Sequence, residues 1–266
     1  MTTDILTEID GPVARITFNR PAVRNAANTA MLMGMRQFLM DVERDRSIRC
    51  VVITGAGDHF MAGGDVQAFN EALGRSPAER RTEFEGRVQS AGALFVQLGR
   101  VPQPIVAKVR GAAAGAALGF VAGADFAICG ASSLFVLAHV NIGASPDGSS
   151  SYYLPRVLGV RKAKELAILG QKLSAEEALA SGLVTRVVPD AELDSAVSAL
   201  VDRIVAAPAE SVRRAKFLMD QSLGNSLEQQ LQLEAQCFGE CAATDDFAEG
   251  VSAFVGKRKA TFNRPR

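Results

Sequence analysis

The stretch that decides the fold is Lys108–Asp125, with the sequence KVRGAAAGAALGFVAGAD. The apolar run Ile105–Val109, which leads into it, predicts a buried strand. Between Arg110 and Asp125 come four glycines and eight alanines or valines, so another backbone or a ligand can approach closely. A strand that enters a glycine-rich turn and then a helix also leaves backbone N–H groups free at the helix start. Such donors can hold a phosphate or a developing oxyanion, although a small-residue helix crowded inside a core would have the same composition.

A second stretch of the same kind lies about fifty residues earlier in the chain. Residues Cys50–Thr54 predict another buried strand, and the sequence FMAGGD follows at positions 60–65. This stretch also combines a preceding strand, small residues and the start of a helix, here at Asp65. One such motif is weakly specific, whereas two of them, each after a buried strand, are moderately specific. The two stretches therefore form a matched pair.

Composition limits the classes of protein that the chain can belong to. Its 266 residues, 48% of them hydrophobic, can bury the core of one large α/β domain with or without a helical extension. Lys+Arg and Asp+Glu both number 29, so no nucleic-acid or anionic-membrane surface is expected. The four cysteines form no CxxC pair and are expected to be reduced, and two histidines argue against a metal site. No signal peptide and no stretch long enough to span a bilayer is recognised, so we expect a cytoplasmic protein.

The pattern of predicted elements is typical of a mixed α/β fold. Alternating polarity on either side of Asp10-Gly11 predicts a hairpin. Asn28 or Thr29 can cap the next helix, and a longer helix is expected at about residues 78–98. A helix is also expected through the Gly/Ala stretch itself, and a strand over Leu183–Val188. Strands and helices alternate to about residue 190, and helices alone follow.

The two glycine-rich stretches, together with Asn19-Arg20-Pro21 and the C-terminal SAFVGKRKATF, resemble the crotonase family, the enoyl-CoA hydratase/isomerase superfamily. The resemblance covers nearly the whole chain. It implies an α/β fold, with a crotonase-like spiral of ββα units over residues 1–206 and an all-helical trimerisation region over residues 207–266. It also implies assembly as a homotrimer or a dimer of trimers. The implied substrate is an acyl-CoA thioester, with no separate cofactor because coenzyme A is part of the substrate.

The resemblance further implies which residues contact the substrate. Carried over position by position, the backbone N–H groups of Gly64 and Ala116 would hold the thioester oxygen as it becomes an enolate. One such donor contributes about 3 kcal/mol in related oxyanion holes. The implied substrate-binding residues are Val23, Arg24, Ala62, Asp65, Val66, Gly115, Gly119, His139 and Lys257, the last of these sometimes reaching nucleotide phosphates from a neighbouring subunit. Arg24 and Lys257 could equally be solvated surface charges, and we expect Asp65 mainly to cap its helix.

The acidic residues decide the expected reaction. Hydratases of this family add water with two glutamates, which would fall at Gly119 and His139, so both are absent. Between residues 105 and 150 the only acidic residues are Asp125 and Asp147. Asp125, at the end of the Gly/Ala stretch, is expected to make structural hydrogen bonds. Asp147, in the loop sequence SPDG, resembles the single catalytic aspartate of dienoyl-CoA isomerases and 1,2-epoxyphenylacetyl-CoA isomerase.

A single carboxylate suits isomerisation better than hydration. One group can remove a proton α or γ to the thioester and return it elsewhere while an oxyanion hole holds the dienolate. Hydration requires a group to activate water and another to protonate carbon. Imidazole can act as a general base, so His139 leaves hydration or thioester hydrolysis open, although we favour a pocket-lining role for it. We therefore expect an isomerase with Asp147 as general acid/base, and the alternatives are an enoyl-CoA hydratase and a non-catalytic CoA-binding subunit.

Three other enzyme classes fit the sequence poorly. Dehalogenases of the family share an aspartate at the Asp147 position, but they need a histidine at a position near Val96, and none lies between His59 and His139. A serine hydrolase of the α/β type would carry a GxSxG elbow, which is absent. A short-chain dehydrogenase would carry GxGxxG after the first strand, and this is also absent.

Overall fold

The structure is a computed structural model that describes residues 3–263. Its strands are β1 (Ile5–Asp10), β2 (Val13–Phe18), β3 (Cys50–Gly55), β4 (Ile105–Val109), β5 (Ala112–Ala114), β6 (Phe126–Gly130), β7 (Leu134–Val136), β8 (Lys172–Ser174) and β9 (Arg186–Val188). Its α-helices are α1 (Thr29–Arg44), α2 (Val66–Asn70), α3 (Pro77–Arg100), α4 (Ala117–Ala122), α5 (Ser150–Leu158), α6 (Val160–Leu169), α7 (Ala175–Ser181), α8 (Leu193–Ala206), α9 (Ala209–Ser222), α10 (Leu227–Ala242) and α11 (Asp245–Val255). Strands and helices alternate as far as β9 and helices alone follow, which confirms the predicted order.

A six-stranded sheet in the order β1-β2-β3-β4-β6-β9 forms the centre of the fold. β1 and β2 pair antiparallel through the predicted hairpin, and the other neighbours run parallel. Successive side chains of a strand point to opposite faces. Val51 and Ile53 accordingly join the core beneath α1 and α3, whereas Val52 packs with Leu193 and Val197 of α8. Because both faces are covered, β3 and β4 are almost continuously apolar.

The four cysteines are unpaired thiols, as predicted. Cys50 and Cys129 lie on strands of the central sheet and are fully buried. Burial raises the pKa of Cys50 to about 12 and that of Cys129 to about 11. Both therefore stay protonated at neutral pH and act as packing residues.

A second, three-stranded sheet in the order β5-β7-β8 corrects two expectations. The Gly/Ala stretch does not pass directly into a helix, because Ala112–Ala114 is extended and pairs in parallel with β7. Ala113 also forms a bridge with Met61, and these backbone partners outweigh the weak preference of alanine for strands. Helix α4 consequently begins only at Ala117. The expected strand over Leu183–Val188 is likewise shorter, since only its last three residues, β9, pair with β6.

Asp125 and Lys216 fasten the C-terminal helices to the central sheet. Asp125 Oδ2 accepts hydrogen bonds from the Ile105 N–H at 2.7 Å and from Lys216 Nζ at 2.8 Å. The same ammonium group donates to the Gln103 carbonyl at 3.0 Å. The two side chains are only 22% and 10% exposed, so the ion pair is largely shielded from water. The prediction that Asp125 makes structural hydrogen bonds is confirmed.

The helical region that follows residue 206 begins at Pro208, which caps α9. The break between α8 and α9 coincides with the boundary expected from the sequence, and the division into a core and a trimerisation region stays a prediction. In the part of the chain that the structure describes, no helix is long and apolar enough to cross a membrane. Over the same residues, no three His, Cys, Asp or Glu side chains cluster closely enough to hold a metal ion.

Replacing Lys216 by methionine should lower the free energy of unfolding by about 2 kcal/mol, because the largely buried Asp125 carboxylate would keep only its bond from Ile105. Lys162→Met is the matched control, since Lys162 pairs with Glu165 at 3.2 Å on a more exposed helix surface. That control should cost less than about 0.5 kcal/mol. Urea denaturation measures both, and equal losses would contradict a fastening role for Lys216.

Candidate active site

The two glycine-rich stretches lie side by side. Met61 bridges Ala113, and its carbonyl accepts a hydrogen bond from the Ala114 N–H at 2.8 Å. A Cβ atom on Gly63 would lie 3.0 Å from the Ala114 carbonyl oxygen and 3.5 Å from the Gly115 Cα. Gly63 and Gly115 also have φ values of +91° and +57°, which side-chain-bearing residues rarely adopt. The backbone thus favours glycine at both turns, and the matched pair of the sequence is a contact in space.

The N–H groups of Gly64 and Ala116 follow directly after this contact. Within residues 3–263, neither N–H donates a hydrogen bond to another protein group. The neighbouring Gly115 N–H, in contrast, donates to the Val136 carbonyl at 2.9 Å. Unused donors fixed on two adjoining rigid turns can hold an oxygen atom that gains negative charge during a reaction. Their assignment as an oxyanion hole stays a prediction.

The loop after Asn19-Arg20-Pro21 runs beside the first glycine-rich stretch. The Ala62 N–H donates to the Arg24 carbonyl at 2.9 Å, and the Ala27 N–H donates to the Gly63 carbonyl at 2.7 Å. The structure thereby brings together one edge of predicted contact residues, which are Val23, Arg24, Ala62, Asp65 and Val66. Val23, Arg24 and Val66 are exposed, so their side chains are available to a ligand along this edge.

Asp65 caps α2, as predicted, and also pairs with Arg20. Its carboxylate accepts hydrogen bonds from the Ala68 N–H at 3.4 Å and from Arg20 Nη1 at 2.9 Å. The Arg20 and Asp65 side chains are 21% and 18% exposed. Arg20 also donates to the Ala26 carbonyl at 2.6 Å. One oxygen of Asp65 thus caps α2, and the other holds the two loops together through Arg20, a role that no local sequence signal reveals.

Asn25 is a structural residue of this edge that the sequence analysis missed. It is fully buried, with φ at +58°. Its side-chain oxygen accepts from the Arg20 N–H at 2.9 Å, and its amide donates to the carbonyls of Ala56 and His59 at 2.9 and 2.7 Å. The tolerance of asparagine for left-handed backbone is the one available signal, and it does not predict burial.

The loop that carries Asp147 crosses the start of α4. A Cβ atom on Gly119 would collide with the carbonyl oxygen of Gly148, and one on Gly148 would lie 2.6 Å from the Ala116 Cβ. Backbone therefore fills the space that a side chain at position 119 would need. A glutamate at position 119 would therefore collide with the loop along the path that the loop follows here. Gly119 itself is buried, and its expected contact with substrate stays a prediction.

Asp147 is hydrogen-bonded to His139. The distance from His139 Nε2 to Asp147 Oδ1 is 2.8 Å, and the side chains are 10% and 33% exposed. A Cβ atom on Gly115 would lie 3.8 Å from His139 Cε1, so the imidazole lies against the second glycine turn. The expectation of a pocket-lining histidine is therefore incomplete, because His139 is the partner of the candidate catalytic carboxylate. Sequence analysis named both residues but missed their pairing.

Asp147 opens onto a cleft of about 830 Å³ between α3, α5 and α9. Apolar and polar side chains share its walls, among them Val96, Tyr152, Tyr153, Arg156, Met219 and Leu223. Burial raises the pKa of Tyr153 above its ordinary value, so this hydroxyl stays protonated. The Arg156 guanidinium stacks on the Tyr152 ring at 3.5 Å. The cleft thus offers aromatic walls within reach of the carboxylate.

Lys257 is the predicted site residue that the structure leaves apart from the others. It follows α11, and its backbone N–H donates to the Phe254 carbonyl at 3.2 Å. Over residues 3–263, no hydrogen bond or ion pair joins Lys257 to the edge formed by Val23 and Arg24. A contact with substrate from a neighbouring subunit, as the resemblance allows, stays a prediction.

Asn25→Ala should lower the free energy of unfolding by about 3 kcal/mol, because it removes three hydrogen bonds and leaves buried carbonyl groups without a donor. Asn70→Ala is the matched control, since Asn70 is exposed at the end of α2. The control should cost less than about 0.5 kcal/mol. Thermal denaturation monitored by circular dichroism compares the two variants, and similar midpoints would show that the buried amide does not hold the loops.

Comparison with known proteins shows the family of the chain. The sequence profile of the family described as Enoyl-CoA hydratase/isomerase matches residues 8–265. The 1,2-epoxyphenylacetyl-CoA isomerase of Escherichia coli (strain K12) is 34% identical over 259 residues, which cover 97% of each chain. The 4-chlorobenzoyl coenzyme A dehalogenase-2 of an Arthrobacter species is 32% identical over 246 residues, or 92% of this chain and 88% of the relative.

Solved structures give the same result. The crystal structure of an enoyl-CoA hydratase from Polaromonas sp. JS666 superposes with a TM-score of 0.89 at 29% identity, covering 97% of this chain and 99% of that one. Both the order of elements and the sequence thus match proteins of one family over almost their full length. The chain belongs to the enoyl-CoA hydratase/isomerase family, the crotonase superfamily.

Proposed function

We propose that this protein is an acyl-CoA isomerase that moves a double bond, or rearranges an epoxide, with Asp147 as general acid/base. The observation that carries the proposal is the position of the Asp147 loop. Its backbone packs against Ala116, whose N–H is unused among residues 3–263, and against Gly119, so the loop fills the space for a hydratase glutamate and holds Asp147 on the segment next to that donor. The similarity to 1,2-epoxyphenylacetyl-CoA isomerase supports the same reading.

In the proposed reaction, the thioester oxygen of a 3-enoyl-CoA accepts hydrogen bonds from the Gly64 and Ala116 N–H groups. Asp147 removes a proton from C2, and the electron pair of that C–H bond moves into a dienolate whose charge rests on the thioester oxygen. The same carboxyl group then gives the proton to C4, and the double bond ends between C2 and C3. One carboxylate completes both proton transfers, while the fixed N–H donors stabilise the charge that appears between them.

Hydration and dehalogenation are less well supported. Hydration would require a second acid or base, and the one candidate, His139, is already hydrogen-bonded to Asp147. Dehalogenation would require a histidine near Val96, on α3, and the residue there is an exposed valine. A non-catalytic CoA-binding subunit would have no use for the carboxylate of Asp147 on a loop packed against Ala116. Turnover separates this last alternative from the isomerase.

The proposal extends to how coenzyme A is held. Val23, Arg24, Ala62 and Val66 line one exposed edge beside the Gly64 turn, and Arg24 supplies a positive charge for a phosphate there. Lys257 would add a second positive charge from a neighbouring subunit. Asp65 contributes by holding this edge in place through Arg20.

We also propose that the protein assembles as a homotrimer or a dimer of trimers through its C-terminal helices. Large apolar side chains are exposed on α10 and α11 or close to them: Leu223, Leu227, Leu231, Phe238, Val251, Phe254 and Val255. Phe254 is 86% exposed, which is costly for an aromatic ring in water. Apolar surface of this kind is typical of a face that another subunit covers.

Asp147→Asn should lower kcat for conversion of a 3-enoyl-CoA to the conjugated 2-enoyl-CoA by about 1,000-fold, because the amide cannot accept the C2 proton. Asp202→Asn is the matched control, since Asp202 is exposed on α8 and should leave the rate unchanged. Absorbance of the conjugated thioester follows the reaction. The proposal fails if the protein instead adds water to a 2-enoyl-CoA and Asp147→Asn makes no difference.

Gly119→Ala should lower kcat by about 100-fold or more, because its methyl group would displace the Gly148 carbonyl and with it Asp147. Gly86→Ala is the control, since a Cβ atom there meets open space on α3. The control should keep full activity and gain up to about 1 kcal/mol of stability. If Gly119→Ala remains folded and fully active, the position of the Asp147 loop does not depend on the absence of a side chain at position 119.

A further inference from the structure

We infer that His139 is a neutral imidazole whose Nε2–H donates to Asp147 and holds that side chain in position, and that His139 takes no part in proton transfer. This inference rests on the proposed function for its catalytic meaning. Its geometric basis is separate and consists of two observations. His139 Nε2 lies 2.8 Å from Asp147 Oδ1, and His139 Nδ1 is buried with no hydrogen-bond partner among the described residues.

The proton positions follow from these partners and are assigned from them. An ionised carboxylate only accepts hydrogen bonds, so Nε2 must carry the proton if Asp147 is charged. A neutral imidazole with its proton on Nε2 then has a bare lone pair at Nδ1. The buried atom without a partner is in that case an acceptor, and an unmet buried acceptor is less unfavourable than an unmet buried N–H.

Two other arrangements of the protons each leave a buried N–H without an acceptor. In the first, a doubly protonated imidazolium would carry a proton on Nδ1 as well as on Nε2. In the second, Asp147 would donate a proton from Oδ1 to Nε2, and the single imidazole proton would then sit on Nδ1. Leaving a donor unpaired in a side chain that is only 10% exposed costs about 1–3 kcal/mol. A neutral imidazole whose Nε2–H donates to Asp147 Oδ1 avoids this cost.

This arrangement determines where the substrate proton can go. In the first step the C2–H bond breaks and an O–H bond forms on Asp147, while the electron pair enters the dienolate. Among residues 3–263, no hydrogen bond is found to Asp147 Oδ2, so this oxygen is the free proton acceptor. His139 Nε2 already holds a proton and cannot take another. The proton therefore stays on Asp147 until the O–H bond breaks and a C–H bond forms at C4.

Nitrogen-15 NMR tests the assigned state without any need for turnover. The chain has only two histidines, and His139→Gln identifies the signals of the other, His59. At pH 7 we expect His139 to show a protonated Nε2 and an unprotonated Nδ1, and Asp147→Asn to shift the Nε2–H signal. A proton on Nδ1, in either the neutral or the charged ring, would overturn the inference even if the protein proves to be an isomerase.

Two substitutions then separate donation from proton transfer. His139→Gln keeps a neutral N–H donor at a comparable distance along the side chain, whereas His139→Leu removes it. We expect kcat of His139→Gln to stay within about threefold of the unmodified protein, and that of His139→Leu to fall by about 10-fold to 100-fold. The midpoint of thermal denaturation, followed by circular dichroism, shows whether each variant is folded.

Each combination of kcat values for the two His139 variants either supports or contradicts the inference. A retained rate with glutamine and a lower rate with leucine supports the neutral donor. Equal losses with glutamine and leucine, in variants that remain folded, would make His139 a proton-transferring residue and overturn the inference. Full activity in both variants would overturn it as well, because Asp147 would not need the donor. A fully active Asp147→Asn would contradict the proposed function instead, while the NMR result would still decide the state of His139.

Discussion

The close contact between two glycine turns is the constraint on which the rest of the site depends. Gly63 and Gly115 meet backbone to backbone, and the bridge between Met61 and Ala113 holds them in that position. Because strands β3 and β4 are neighbours in a parallel sheet, the loops that leave their carboxyl ends emerge at the same edge. The contact therefore results from the central sheet. The sheet in turn fixes the positions of the unused N–H groups of Gly64 and Ala116.

The same small residues also decide where the carboxylate can be. The Asp147 loop approaches Ala116 and Gly119 more closely than any side chain at position 119 would allow. A glutamate at this position and the observed path of the loop are mutually exclusive. The absence of a side chain at position 119 thus permits the observed path of this loop, and the loop in turn holds Asp147 against His139.

Sequence reasoning succeeded where the signal is local. The hairpin at Asp10-Gly11, the cap at Asn28 and the strand Ile105–Val109 depend on neighbouring residues, and the structure has all three. It failed at Ala112–Ala114, whose extended form comes from hydrogen bonds to distant segments and contradicts alanine's own preference. At the site, the family resemblance singled out the N–H groups of Gly64 and Ala116 and the carboxylate of Asp147, and their roles stay predictions. The pairing of His139 with Asp147 and the burial of Asn25 depend on three-dimensional packing, which no spacing encodes.

The buried amide of Asn25 and the ion pair between Arg20 and Asp65 have a consequence for binding thermodynamics. Together they fix a loop whose residues 24 and 25 both have left-handed backbone, with φ values of +52° and +58°. An unsupported loop of this kind would lose conformational entropy when it closes on a ligand, and that loss would weaken the affinity. Here the ordering is completed during folding, so binding at this edge would not have to order the loop.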